Sequence, residues 1–438
     1  MAEAAKQSWV ARAGTGFGGQ LRVPGDKSIS HRGLLLGAIA EGTTRIDGFL
    51  RSEDCLATLA ALRALGVTVD DEGDHVSVHG VGLRGLSAPA APLDLGNSGT
   101  AIRLLAGLLA GQSFDTALTG DASLCRRPMG RVADPLGQMG ARVDTTDGCP
   151  PLTVHGGRAL AGIDYRLPVA SAQVKSALLL AALYADGDTQ IRGSGASRDH
   201  TERMLLSMGA ALDLEEDCIT LHPGRRLEAM DLQVPGDLSS AAFFLLGAAL
   251  AADAPLVIES VGINPTRLGI LGILELMGAR VEVSNHRMEG REPVADLLLA
   301  RSALRGAEIP PSVVPLAIDE FPVVFVAAAV ADGDTLVTGA EELRHKESDR
   351  IATMVAGLRA LGADIEERPD GALIHGGKLH GGEIDSHGDH RVAMAFAMAA
   401  LVADGPVRIR DTANVATSFP EFPGLAVQAG LTLEVTES

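Results

Sequence analysis

Leu21-Arg22-Val23-Pro24-Gly25-Asp26-Lys27-Ser28 returns, almost half a chain later, as Leu232-Gln233-Val234-Pro235-Gly236-Asp237-Leu238-Ser239. Such a return means that a folding unit has been copied. A second signature, a short helical pattern closed by Gly and followed by an alternating strand, occurs six times. It reads Leu65-Gly66-Val67, Met139-Gly140-Ala141, Met208-Gly209-Ala210, Met277-Gly278-Ala279, Leu361-Gly362-Ala363 and Ala429-Gly430-Leu431. Successive glycines are 74, 69, 69, 84 and 68 residues apart, so six units of similar length fill the chain. Each unit reads as a strand, a turn rich in Gly, Ser, Asp or Asn, an apolar helix such as Ala177 to Ala185, and a strand such as Thr189 to Ile191. A second helix with its Gly cap then leads to a closing strand, a βαβαββ pattern in an α/β chain. A spacing near seventy residues is too long for a solenoid repeat and suits small units packed around a common axis. The return of Pro-Gly-Asp at the midpoint groups three units in each half.

With 46% apolar and 21% charged residues, the chain can fill two hydrophobic cores and shows no bias toward disorder. A net charge of −19 argues against nucleic acid, which needs a basic face. Cys55, Cys125, Cys149 and Cys218 are scattered and form no Cys-x-x-Cys pair, as expected in a reduced cytosol. No apolar core of a signal peptide occurs between Met1 and Gln20, and the most apolar run, 241–252, is shorter than the ~20 residues of a membrane span. A soluble, cytoplasmic protein without a membrane partner is expected.

The turn before the first helix of each unit can receive an anion on exposed N–H groups and the helix dipole. These turns read Gly25-Asp26-Lys27-Ser28, Gly96-Asn97-Ser98-Gly99-Thr100, Ala170-Ser171-Ala172-Gln173, Gly236-Asp237-Leu238-Ser239, Ile318-Asp319-Glu320-Phe321 and Gly388-Asp389-His390-Arg391. Cations accompany several of them: Lys27 and Arg32, Arg103 after Asn97, Lys175 after Gln173, and Arg391 after His390. Nearby loops add Arg126-Arg127, Arg198, and the cluster Arg344, Lys346 and Arg350. One such turn alone reads as an ordinary N-cap beside solvated charge. Six together imply a site for at least two anionic groups, because cations at helix starts oppose the dipole unless something negative binds.

Other motifs carry less. Gly14-Thr15-Gly16-Phe17-Gly18-Gly19 has the glycines of a dinucleotide fingerprint but precedes a strand, and Gly25-Asp26-Lys27-Ser28 lacks the Gly-Lys-Ser order of a phosphate loop. Neither a nicotinamide nor ATP is expected. His387 and His390 lack a third ligand at metal-site spacing, so no metal is expected. Cys125 beside two arginines reads as a reactive thiolate or as a plain buried thiol.

Pro24-Gly25-Asp26-Lys27-Ser28-Ile29-Ser30-His31-Arg32, Leu95-Gly96-Asn97-Ser98-Gly99-Thr100, Arg127-Pro128-Met129, Asp319-Glu320-Phe321-Pro322, Lys346-Glu347-Ser348-Asp349-Arg350 and Gly388-Asp389-His390-Arg391 resemble the signatures of EPSP synthases, in that family's order. The resemblance runs from about Leu21 to Phe422. It implies an inside-out α/β barrel of two domains, each of three βαβαββ units, with residues 1–21 and 237–438 in one and 22–236 in the other. It implies a monomeric transferase that moves the enolpyruvyl group of phosphoenolpyruvate to the 5-hydroxyl of shikimate 3-phosphate, without a cofactor, in aromatic amino-acid biosynthesis. Lys27, Ser28, Arg32, Ser171, Ala172, Gln173, Arg198, Asp319 and Lys346 match positions that hold shikimate 3-phosphate. Lys27, Gly99, Arg127, Gln173, Arg350 and Arg391 match the phosphoenolpyruvate pocket, which the family's inhibitor glyphosate also occupies. Asp319, Glu347, Lys27 and Lys346 match the reacting centre.

Two departures stand out. Thr417 precedes Ser418-Phe419-Pro420 where many members carry Lys, and Ser171-Ala172-Gln173 stands where others have two serines. Both read as branch differences. Two rivals share the scaffold. The enolpyruvyl transferases acting on UDP-N-acetylglucosamine use a loop cysteine near the position of Cys125, but the Lys27–Arg32, Asp319 and Lys346 segments resemble the shikimate branch. A non-catalytic anion-binding protein has no use for both Asp319 and Glu347. Because neither a ligand set nor a phosphate loop is present, turnover is expected to survive EDTA. Activity lost to the chelator and restored by a divalent ion would contradict this.

Overall fold

The six glycines that punctuate the sequence set the backbone. In the computed structural model, which describes residues 7–193, 195 and 197–437, all six have left-handed φ: +88° at Gly66, +97° at Gly140, +86° at Gly209, +93° at Gly278, +86° at Gly362 and +108° at Gly430. A side chain is costly there, so glycine stops the helix and turns the chain into the next strand. The stopped helices are Glu53–Ala64, Gly130–Gln138, His200–Ser207, Gly269–Leu276, Arg350–Ala360 and Phe422–Gln428. Residues 1–6, which the expected first domain includes, lie outside the described residues.

Among the described residues the strands form six four-stranded sheets. In one, Leu232–Gln233 runs parallel to Glu41–Asp47 (Leu232 opposite Ile46), which is antiparallel to His75–Val81 (Arg45 opposite Ser77), which is antiparallel to Thr68–Asp71. Segments distant in sequence complete three of these sheets, one of them through Gly19–Leu21 running parallel to Leu256–Gly262. Leu232–Gln233 joins the sheet begun at Glu41, and Gln7–Arg12 inserts between Val407–Arg410 and Thr432–Glu437. Helices that are apolar on every side lie inside, because no face of them gains from water. Leu238–Ala251, Phe321–Ala329 and His390–Ala399 are buried almost throughout. Trp9 stacks on Phe422 at 5.5 Å, and Phe243, Phe244 and Phe419 complete an aromatic cluster that fastens the N-terminal strand to the C-terminal helix.

The chain divides into two bodies: Met1–Pro24 with Gly236–Arg287 and Pro293–Ser438, and Gly25–Pro235 with Met288–Glu292. Each has its own apolar core. The short segment Met288–Glu292 groups with the second body through polar contacts: His200 Nδ1 lies 2.8 Å from the Glu292 carboxylate, and Arg203 donates to the Arg291 carbonyl at 2.7 Å. Among the described residues no helix is long and apolar enough to cross a membrane.

Candidate active site

In the body built on Gly25–Pro235, helix Lys27–Ile39 starts from Asp26, whose Oδ1 accepts the Ile29 N–H at 2.9 Å. The cap satisfies a donor that the helix start would otherwise strand. Lys27 pairs with Asp54. Arg32 lies buried beneath the turn. Its Nε donates to Thr201 Oγ1 at 2.6 Å, Nη1 to the Ser28 carbonyl at 2.9 Å and Nη2 to Ser176 Oγ at 2.8 Å. Burial pushes its pKa down to about 10, against the pull of Glu202 and Asp26. Burial, then Lys27 and Arg32, hold His31 well below the ordinary imidazole range, so it is neutral. Arg198 Nη1 donates to Ser28 Oγ at 3.4 Å, so Lys27, Ser28, Arg32 and Arg198 belong to one cluster.

Helix Ala172–Ala182 is capped by Ser171, whose Oγ accepts the Val174 N–H at 3.4 Å. Gln173 on its first turn accepts from Arg103 Nη1 at 2.8 Å and donates to Thr100 Oγ1 at 3.0 Å. Arg103 Nη1 also reaches the Gly99 carbonyl at 3.1 Å, and Arg127 donates to Asn97 Oδ1. Arg103 therefore links the Gly99 turn to Gln173, a role its sequence position, four residues into the helix, left unassigned. Lys175 departs from the sequence reading, which counted it among cations facing an anion. Two residues past Gln173 it falls on the opposite side of the helix. There it is 1% exposed, 2.6 Å from Glu202, and donates to the Ser197 carbonyl.

In the other body, Arg350 begins helix Arg350–Ala360 and is 1% exposed. Its Nε donates to Asp389 Oδ2 at 2.8 Å, Nη2 to Glu347 Oε2 at 2.6 Å and Nη1 to Asp319 Oδ1 at 3.4 Å. Burial disfavours the charge, but Asp389, Glu347 and Asp319 more than offset it, and the guanidinium pKa rises above its ordinary value. Lys346 Nζ lies 3.5 Å from the same Asp319 Oδ1. Asp389 caps helix His390–Ala399, accepting the Arg391 N–H at 2.9 Å, and Ser348 Oγ donates to it at 3.2 Å. Arg391 Nη1 donates to the Asp319 carbonyl at 3.2 Å. Asp319, Lys346, Glu347, Arg350 and Arg391 thus share one cluster, with Asp389 as the pivot that the sequence showed only as a cap.

Arg344, grouped in the sequence with Lys346 and Arg350, is turned elsewhere: it binds Asp349, Glu367 and the carbonyls of Arg368 and Pro369. Thr417 supplies no cation, and its Oγ1 donates to the Asn414 carbonyl at 2.7 Å. Cys125 is a half-buried free thiol whose Sγ lies 3.4 Å from the Gly120 carbonyl. Among the described residues no group of three or more His, Cys, Asp or Glu could hold a metal.

A family profile, EPSP synthase (3-phosphoshikimate 1-carboxyvinyltransferase), matches residues 12–425. The chain is 59% identical over 432 residues to a 3-phosphoshikimate 1-carboxyvinyltransferase of Acidithiobacillus ferrooxidans, covering 98% of this chain and 99% of that protein. It is 56% identical over 430 residues to one of Methylococcus capsulatus, covering 98% of each. A solved EPSP synthase of Acinetobacter baumannii superimposes with a TM-score of 0.88 at 51% identity, covering 98% of this chain and all of that one.

Replacing Arg350 by Met leaves three carboxylates crowded without their shared cation. Removing one partner of a buried pair costs roughly 3–5 kcal/mol. Like charges left side by side repel, and acid relieves that repulsion, so the variant's deficit shrinks as pH falls. Thermal melts of Arg350→Met and wild type are expected to differ more at pH 7 than at pH 5. A gap that is constant or widens toward pH 5 would contradict the arrangement.

Proposed function

The chain belongs to the EPSP synthase family and transfers the enolpyruvyl group of phosphoenolpyruvate to the 5-hydroxyl of shikimate 3-phosphate, and we propose the following division of labour among its residues. Lys27, Ser28, Arg32, Ser171, Ala172, Gln173 and Arg198 hold shikimate 3-phosphate. Lys27, Gly99, Arg127, Gln173, Arg350 and Arg391 hold phosphoenolpyruvate, with the arginines offering the fixed, paired donors that a carboxylate fits.

The observation that carries this reading is that Asp319 and Glu347 engage the two terminal nitrogens of one buried guanidinium. Two carboxyl groups on either side of one cation support a reading in which one accepts a proton and the other carries one to and from carbon. Asp319 takes the proton of the 5-hydroxyl as its oxygen attacks C2 of phosphoenolpyruvate, while Glu347 delivers a proton to C3. The tetrahedral intermediate then loses a C3 proton back to Glu347 as the C2–O bond to phosphate breaks, restoring the double bond, and the proton held by Asp319 passes to the departing inorganic phosphate, so both carboxyl groups return to their starting states. Lys27 and Lys346 stabilise charge on the substrates and on the departing phosphate. No step calls for a metal.

Six four-stranded sheets support a finer reading of the fold as six βαβαββ units, three in each body, arranged as an inside-out barrel. The proposal extends to a monomer acting in the cytoplasm, a setting in which free thiols such as Cys55, Cys125, Cys149 and Cys218 stay reduced.

Asp319→Asn keeps the shape and removes the base, so turnover is expected to fall by roughly 10²–10⁴ while shikimate 3-phosphate still binds. Near-normal turnover would remove Asp319 from this role. A second outcome concerns Gly99, where an added Cβ would lie 2.8 Å from Arg103 Nη1 and 2.9 Å from Arg127 Nη1. Both are ends of flexible side chains, so Gly99→Ala is expected to fold and to push Arg127 aside. Glyphosate, longer than phosphoenolpyruvate, has less slack. The ratio of its inhibition constant to the Michaelis constant for phosphoenolpyruvate is therefore expected to rise. An unchanged or lower ratio would show that Gly99 does not line the pocket.

A further inference from the structure

The second copy of the Pro-Gly-Asp turn is left over once the residues of the transfer have been assigned. In the first copy Lys27 and Ser28 follow Asp26 and are half-buried. In the second, Leu238 stands in place of Lys27, and Asp237, Leu238 and Ser239 are all buried. The protein fills this turn with its own groups. Arg267, itself buried, donates from Nη2 to Asp237 Oδ1 at 2.8 Å and to Ser239 Oγ at 2.5 Å. Ser239 Oγ in turn donates to Oε1 of Glu320. Glu320 is buried and directly follows Asp319, and its Oε1 lies 3.8 Å from Nη1 of Arg391.

That last separation is too long for a hydrogen bond, whereas an unrestrained arginine–carboxylate pair closes to roughly 2.7–2.9 Å. Arg391 Nη1 instead donates one of its N–H groups to the Asp319 carbonyl. Glu320 is therefore a buried carboxylate beside a substrate-binding arginine, detained by a hydroxyl that Arg267 holds in place. Without the Arg267 charge, Asp237 and Glu320 would be two carboxylates out of water, with Arg391 the cation that Glu320 already faces. Such a site draws in the cation, since an uncompensated buried charge costs several kcal/mol.

We propose that Arg267 is a positioning residue for the transfer reaction: by neutralising Asp237 and holding Glu320 through Ser239, it keeps Glu320 from capturing Arg391 and leaves that guanidinium free for the phosphoenolpyruvate carboxylate. The inference rests on the assignment of Arg391 to phosphoenolpyruvate.

Steady-state kinetics on the full chain, varying each substrate in turn, test it. Arg267→Met is expected to raise the KM for phosphoenolpyruvate about tenfold, with the KM for shikimate 3-phosphate within about twofold and kcat within about threefold of wild type. Adding Glu320→Gln removes the capturing charge and is expected to bring the phosphoenolpyruvate KM back to within about threefold of wild type, a coupling that independent sites would not show. Arg267→Lys, which keeps the charge, is expected to retain most of the phosphoenolpyruvate affinity. If Arg267→Met does not fold, Ser239→Ala frees the same Glu320 oxygen with a smaller change, and a rise of about threefold that Glu320→Gln reverses is expected. Both KM values rising together in step with a falling melting temperature, with no recovery from Glu320→Gln, would overturn the proposal. Arg391→Lys separates the two layers. If it leaves the phosphoenolpyruvate KM unmoved, the assignment of Arg391 fails. If it raises that KM while Arg267→Met does not, the role of Arg267 alone fails.

Discussion

A guanidinium taken out of water must be surrounded by negative charge, and Arg350 is surrounded three times over. Bringing an ion that size into an apolar interior costs several kcal/mol unless partners replace its water. Here Asp389, Glu347 and Asp319 replace it, from three segments far apart in sequence. Because one planar fork sets the directions of all three, the turn before helix Phe321–Ala329, the loop ahead of Arg350 and the start of helix His390–Ala399 are held in mutual register. The acid and the base proposed for the reaction, Glu347 and Asp319, would follow from that register. Arg391 is then placed by its own backbone on Asp389 and by its side chain on the Asp319 carbonyl.

The same economy of helix starts runs through the other body. Asp26 and Ser171 cap their helices from inside, which leaves the next residues, Lys27, Ser28 and Gln173, to form the cation-rich clusters assigned to substrate. Cations on a helix N-terminus are unfavourable by themselves, and Asp54 beside Lys27 and Glu202 near Arg32 offset part of that cost. The second copy of the turn shows the alternative outcome. Leu238 takes the cation's place, and a protein arginine and a protein carboxylate fill the room around Ser239.

Much of this was legible from residues whose chemistry is local. Gly66 and its five counterparts could be read because a left-handed cap has few substitutes. Asp26, Ser171 and Asp389 could be read as caps because a short polar side chain before an apolar run has one common use. Direction was not legible. Lys175 and Arg344 look like their neighbours in sequence, yet one turns into the core toward Glu202 and the other binds Glu367 and two carbonyls. Nor could the sequence show that Arg103 joins Gly99 to Gln173, or that Arg267 reaches back to Asp237, since these contacts span 70 and 30 residues. Such pairs depend on how the repeated units pack, which no single turn encodes.

The central claim is that these clusters serve phosphoenolpyruvate and shikimate 3-phosphate. The most direct test is to follow inorganic phosphate released from phosphoenolpyruvate by the purified chain, once with shikimate 3-phosphate and once with UDP-N-acetylglucosamine as acceptor. The account predicts sustained, acceptor-dependent release with shikimate 3-phosphate and none with the nucleotide sugar. Release with the nucleotide sugar, or none with either acceptor, would contradict it.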